Sequence, residues 1–98
     1  MEVVEGFLGN VSGQTEKLRQ AISDGDSETV RKESHSIKGG AANLTANNLS
    51  GVAAELEIVG KSGDMKGGEE VFERLQKEFH RLEDFVNGEK NTFLSKST

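Results

Sequence analysis

The sequence predicts an all-α domain, an antiparallel up-down-up-down four-helix bundle. Three observations carry that prediction. Apolar residues recur at three- and four-residue intervals in four separate stretches. The breaks between them are short and rich in Gly, Asp and Asn, which forces consecutive helices to lie antiparallel. The chain has 98 residues, the length of one compact domain with one core.

Helix one is placed at 2–23, with Val3, Val4, Phe7, Leu8, Val11, Leu18, Ala21 and Ile22 on one stripe. Gly6, Gly9 and Gly13 each cost about 1 kcal/mol relative to Ala, so packing rather than propensity holds this element. Ser23-Asp24-Gly25-Asp26-Ser27 interrupts the stripe. Gly25 suits a left-handed position after the helix, and Asp26 can cap the next one.

Helix two runs from Ser27 to about Leu44, with Val30, Ile37, Ala41 and Leu44 facing inward. Thr45 and Asn47-Asn48 mark the second junction, and a third helix beginning near Ala46 carries Leu49, Val52, Ala53, Leu56 and Val59. Gly60-Lys61-Ser62-Gly63-Asp64 ends it. Helix four is expected from about Met65, with Val71, Phe72, Leu75, Phe79, Leu82, Phe85 and Val86 as its core face. The bundle is thus assigned to residues 1–87, and the polar residues 88–98 are expected to form a flexible tail.

Composition removes several classes of function. There is no Cys, which excludes disulfide frameworks, thiolate metal sites and cysteine nucleophiles, and suits a reducing, cytoplasmic setting. Two His without i,i+4 carboxylate or His spacing give no metal motif, so no cofactor or metal is expected on the chain. No run approaches the roughly 18 to 20 apolar residues that span a bilayer, and Met1 to Asn10 is acidic where a signal peptide is basic. A net charge of −5 disfavours nucleic acid and anionic lipid. No G-x-x-x-x-G-K-[ST] run occurs, so the chain cannot take a phosphoryl group from ATP as a kinase does.

The chemistry concentrates on helix two. At about 100° per residue, Arg31, Lys32, Lys38, Gly39 and Ala42 all lie within roughly 60° of His35, opposite the inward residues. Three cations near an exposed imidazole in an acidic protein could offset the roughly two negative charges of a phosphoryl group. Gly39 and Ala42, with Ser34 and Ser36 at the edges, leave the ring standing on a surface of small residues that a partner can approach closely. Gly39 and Gly40 together cost a helix about 2 kcal/mol, and Gly40 faces the core side, where close packing is a reason for it. Glu33 also falls near the core side. His80 has no such surroundings and reads as a surface residue. Val3, Val4 and Phe7 read as core, with an apolar patch beside His35 as the other reading.

The segment His35-Ser36-Ile37-Lys38-Gly39-Gly40-Ala41-Ala42-Asn43-Leu44 resembles the H-x-x-K-G signature of histidine-containing phosphotransfer (HPt) domains. The likeness spans most of the chain, from the acidic-apolar first helix to the long fourth one, and leaves out the tail. It implies a four-helix bundle whose histidine accepts a phosphoryl group from a response-regulator receiver aspartate and passes it to another. By resemblance His35 is the carrier, Lys38 stabilises the phosphate and Gly39 opens the approach. Glu57 occupies a position where the family often has a polar residue, frequently Gln, that hydrogen-bonds the imidazole; a carboxylate there would orient the ring but repel an incoming phosphoryl group. Lys61, one turn further on, matches a position where some family members carry a basic residue, but it reads first as an ordinary i,i+4 surface partner of Glu57.

The resemblance further implies receiver domains as partners, with a hybrid sensor histidine kinase among the candidates. It implies Mg²⁺ on the receiver rather than on this chain, and a monomeric bundle. The rival is a docking module that binds receivers without accepting phosphate. His35, Lys38 and Gly39 occurring together argue against it.

Overall fold

The computed structural model describes the backbone of residues 2–97 and the side chains of residues 6–86. Its four helices are α1 (Glu2–Asp24), α2 (Ser27–Asn43), α3 (Asn47–Ser62) and α4 (Gly68–Ser97), and no strand occurs among the described residues. Close backbone approaches join α1 to α2, α2 to α3, α3 to α4 and α4 to α1, whereas the diagonal pairs make none among the described residues. That ring of neighbours is the up-down-up-down bundle read from the short connections. No helix among the described residues is long and apolar enough to cross a membrane.

The helix ends follow their local chemistry. After α1 the Asp26 N–H donates to the Ala21 carbonyl at 2.8 Å and the Gly25 N–H to Ile22 at 3.3 Å, with Gly25 at φ 72°. This is a Schellman closure. Asp26 then caps α2, its Oδ1 accepting from the Thr29 N–H at 3.2 Å and its Oδ2 from the Thr29 hydroxyl at 2.6 Å. The same double closure ends α2, where Ala46 N–H reaches Ala41 at 2.9 Å and Thr45 N–H reaches Ala42 at 3.1 Å. Here the left-handed position is filled by a β-branched residue, Thr45, at φ 56°.

Helix four starts three residues later than Met65. Gly67 takes φ 81° and the Gly68 N–H closes a turn on the Met65 carbonyl at 2.9 Å, so Met65 packs against the core from a loop. The backbone of α4 continues through the polar segment set apart above as a tail, as far as Ser97; the side chains of that segment lie outside the described residues.

Leu18, Ile37, Leu56 and Leu75, one from each helix, are fully buried at the centre. Phe72 and Phe79 join them, but Phe85 does not, being 67% exposed. The buried line of α4 runs through Phe72, Leu75, Phe79 and Val86. Phe85 is one residue, about 100°, off that line.

Two glycines set how closely α2 is approached. A Cβ on Gly60 of α3 would lie 2.6 Å from the Arg31 backbone nitrogen and 2.9 Å from the Ser27 carbonyl oxygen. A Cβ on Gly40 would lie 2.5 Å from the Phe7 ring. So α3 presses on the start of α2, and Phe7 of α1 covers its second half, which is the close packing expected of Gly40. Phe7 is half-buried; the side chains of Val3 and Val4 lie outside the described residues.

Candidate functional site

Val30, Ser34, Ile37 and Ala41 form the buried line of α2. Ser34 therefore does not edge the exposed strip. It lies one residue before His35, on the 4-3-4 spacing of the core line, and its hydroxyl is buried without a hydrogen-bond partner among the described residues. Glu33, on the side toward α1, is half-buried.

His35, Gly39 and Ala42 are exposed and Lys38 is half-buried, as the helical wheel places them. The His35 side chain is 66% exposed, yet its Nδ1 is 3.0 Å from Oε2 of Glu57, whose side chain is only 5% exposed. The ring is thus anchored at one nitrogen from below and open at the other.

Glu57 is the organising group of this site. Its Oε1 lies 2.7 Å from Lys38 Nζ, and Oε2 lies 3.5 Å from Lys61 Nζ as well as facing His35. Hydrogen bonding from Lys38 pushes the Glu57 carboxyl down to about 2; burial opposes this, while the His35 hydrogen bond and the charges of Lys38 and Lys61 add to it. Glu57 is ionised near neutral pH, and a carboxylate can only accept. The imidazole must then carry its proton on Nδ1 and, when neutral, present the Nε2 lone pair to solvent.

The conflict anticipated for a carboxylate at this place is resolved by geometry. Glu57 meets the nitrogen on the far side of the ring from the exposed one, and two ammonium groups face its charge. The i,i+4 pair with Lys61 exists, but the carboxylate it touches is also the one holding His35 and Lys38.

The other two cations read from the helical wheel are not drawn into this cluster. Arg31 turns to Glu28 on its own helix, its Nε 3.2 Å from Oε2 and a second nitrogen on Oε1, and holds that carboxyl below its ordinary value. Lys32 is exposed, with no ion pair among the described residues. Of the three, only Lys38 reaches the partner of the ring.

α2 and α3 are tied together beside the site by the Ser50 hydroxyl, which donates to the Lys38 carbonyl at 3.2 Å. Sequence spacing gave no pointer to this bond, because it depends on the relative height of two helices. His80 is exposed on α4 with its Nδ1 3.0 Å from Glu83, an i,i+3 surface pair.

Comparison with known proteins agrees with the helical fold. The family model described as Hpt domain matches residues 2–85. The crystal structure of histidine-containing phosphotransfer protein B (HptB) from Pseudomonas aeruginosa PAO1 superposes with a TM-score of 0.86 at 26% identity, covering 92% of this chain and 78% of that one. No curated protein sequence gives a significant match.

Proposed function

The chain belongs to the Hpt domain family, and from that premise we propose that it is a phosphorelay intermediate in which His35 takes a phosphoryl group from one receiver-domain aspartate and gives it to another. The observation that carries this reading is the His35–Glu57 contact, a 66% exposed ring held at Nδ1 by a buried carboxylate.

The Nε2 lone pair attacks the phosphorus of an aspartyl acyl phosphate on the receiver. An N–P bond forms, the O–P bond breaks, and its electron pair stays on the aspartate as carboxylate. The ring keeps the Nδ1 proton and becomes cationic, and Glu57 faces that new charge much as a buried carboxylate supports an imidazolium in a catalytic triad. Transfer onward reverses the step on a second receiver. Positioning is the bundle's main contribution, since the acyl phosphate is already activated. Lys38 offsets the phosphoryl charge, and exposed Gly39 and Ala42 let the receiver approach. Mg²⁺ belongs to the receiver side of the complex.

Incubation with a phosphorylated receiver should place acid-labile, base-stable phosphate on the chain and none on His35→Gln. Absence of label on the unaltered chain, or label that survives in His35→Gln, overturns this reading.

A further inference from the structure

Glu57 faces more positive charge than one carboxylate needs. Lys38 from α2 is nearest, at 2.7 Å, and Lys61 stands at 3.5 Å from the other oxygen, four residues further along α3. The two lysines differ in what phosphorylation would ask of them. Lys38 follows His35 by three residues, on the same face of the same helix, so a phosphoryl group with about two negative charges on Nε2 competes with Glu57 for its ammonium. Should Lys38 turn to the phosphoryl group, a carboxylate that is 5% exposed loses its closest countercharge. A buried charge left unpaired is strongly unfavourable.

Lys61 can meet that need. Its side chain is 60% exposed and extends from the helix that carries Glu57, with its ammonium already 3.5 Å from the carboxylate. Arg31, the other cation whose charge Glu57 influences, is held by Glu28. We infer that Lys61 is a positioning residue for the transfer reaction: it takes over as the countercharge of Glu57 when Lys38 engages the phosphoryl group, keeping the carboxylate ionised and the His35 ring anchored.

This inference rests on the carrier role proposed above and adds a specific order to it. In the unphosphorylated state Lys38 satisfies Glu57 and Lys61 contributes little. In the phosphorylated state Lys61 becomes the ion-pair partner, and without it Lys38 is divided between two anions. The residue therefore matters for one state of His35 and not for the other.

The test compares Lys61→Met, Lys61→Arg, Glu57→Gln and the double variant Glu57→Gln/Lys61→Met with the unaltered chain. Each is brought to equilibrium with a phosphorylated receiver, the phosphohistidine level is measured, and imidazole ¹⁵N spectra are recorded without phosphate. Lys61→Met should lower the phosphohistidine level roughly three- to fivefold, the scale of one partly exposed ion pair. Its unphosphorylated ring should keep the Nδ1–H tautomer, and Lys61→Arg should restore the level. In the Glu57→Gln background, loss of Lys61 should have no further effect, because a neutral amide needs no countercharge.

An unchanged level in Lys61→Met overturns the inference. So does an equal loss in the Glu57→Gln background, which would assign Lys61 to the phosphoryl group or the receiver directly. Both outcomes leave the carrier reading standing, whereas failure to label the unaltered chain removes the two together.

Discussion

Gly60 and Arg31 meet where α3 crosses the start of α2, so closely that a single methyl on the glycine would lie 2.6 Å from the arginine backbone nitrogen. The obstruction is backbone, which has no rotamer to escape into. Gly60→Ala should therefore force the two helices apart. Overpacking costs about 1–3 kcal/mol and the gain in helix propensity returns about 1 at most, so denaturant titration should show a net loss of up to about 2 kcal/mol. Glu57 is one turn away on the same helix, and phosphoryl acceptance by His35 should fall as well. Raised stability would mean that the crossing relaxes at a cost smaller than the gain in helix propensity, and would overturn this account.

Glu57 also makes stability depend on acid. Its carboxyl is pushed from the ordinary value of 4.5 down to about 2. A depressed folded-state value means that the unfolded chain binds the proton more readily, so the stabilisation is complete above about pH 4.5 and is lost as pH falls toward about 2. Titrating the chain and Glu57→Gln with urea across that window should show a steeper acid loss in the former. Parallel curves would contradict the depressed value.

Thr45 carries the opposite kind of signal, a residue type at odds with its backbone. A β-branched side chain at φ 56° is strained by about 1 kcal/mol, and glycine adopts that conformation freely. Thr45→Gly should raise the thermal midpoint by about 4–8 °C. No rise would show that the turn is not strained at this residue.

The buried Ser34 hydroxyl has no hydrogen-bond partner among the described residues. Desolvating it without compensation is unfavourable by about 1 kcal/mol or more, so Ser34→Ala should stabilise the bundle by about that much and leave transfer through His35 intact. A loss of stability on removing the hydroxyl would rule out this account.

Much of this arrangement is legible in the sequence, for identifiable reasons. The helices and the Gly25-Asp26 turn follow from local periodicity and capping, and the exposure of His35 follows from its angle to Ile37 and Ala41. Phe85 and Ser34 depart from the expectation because a one-residue step is about 100°, which turns an apolar Phe85 outward and a polar Ser34 inward whatever their residue type. Val30, Ser34, Ile37 and Ala41 already carry the spacing that buries the serine. The state of Glu57 is different in kind. A buried carboxylate is tolerable only with cations in place, and Lys38 arrives from another helix at a height that no spacing within one helix specifies. The Ser50 bond to Lys38 has the same origin.

The anchored ring has a consequence for traffic. With Nδ1 occupied by Glu57, only one nitrogen faces outward, so on the proposed reading donor and acceptor must use the same doorway and cannot occupy it together. The bundle then works as a turnstile, passing one phosphoryl group per visit. When both receivers are abundant, throughput is governed by how quickly the departing receiver clears His35, and an unphosphorylated receiver that lingers there acts as a brake without any separate inhibitory site.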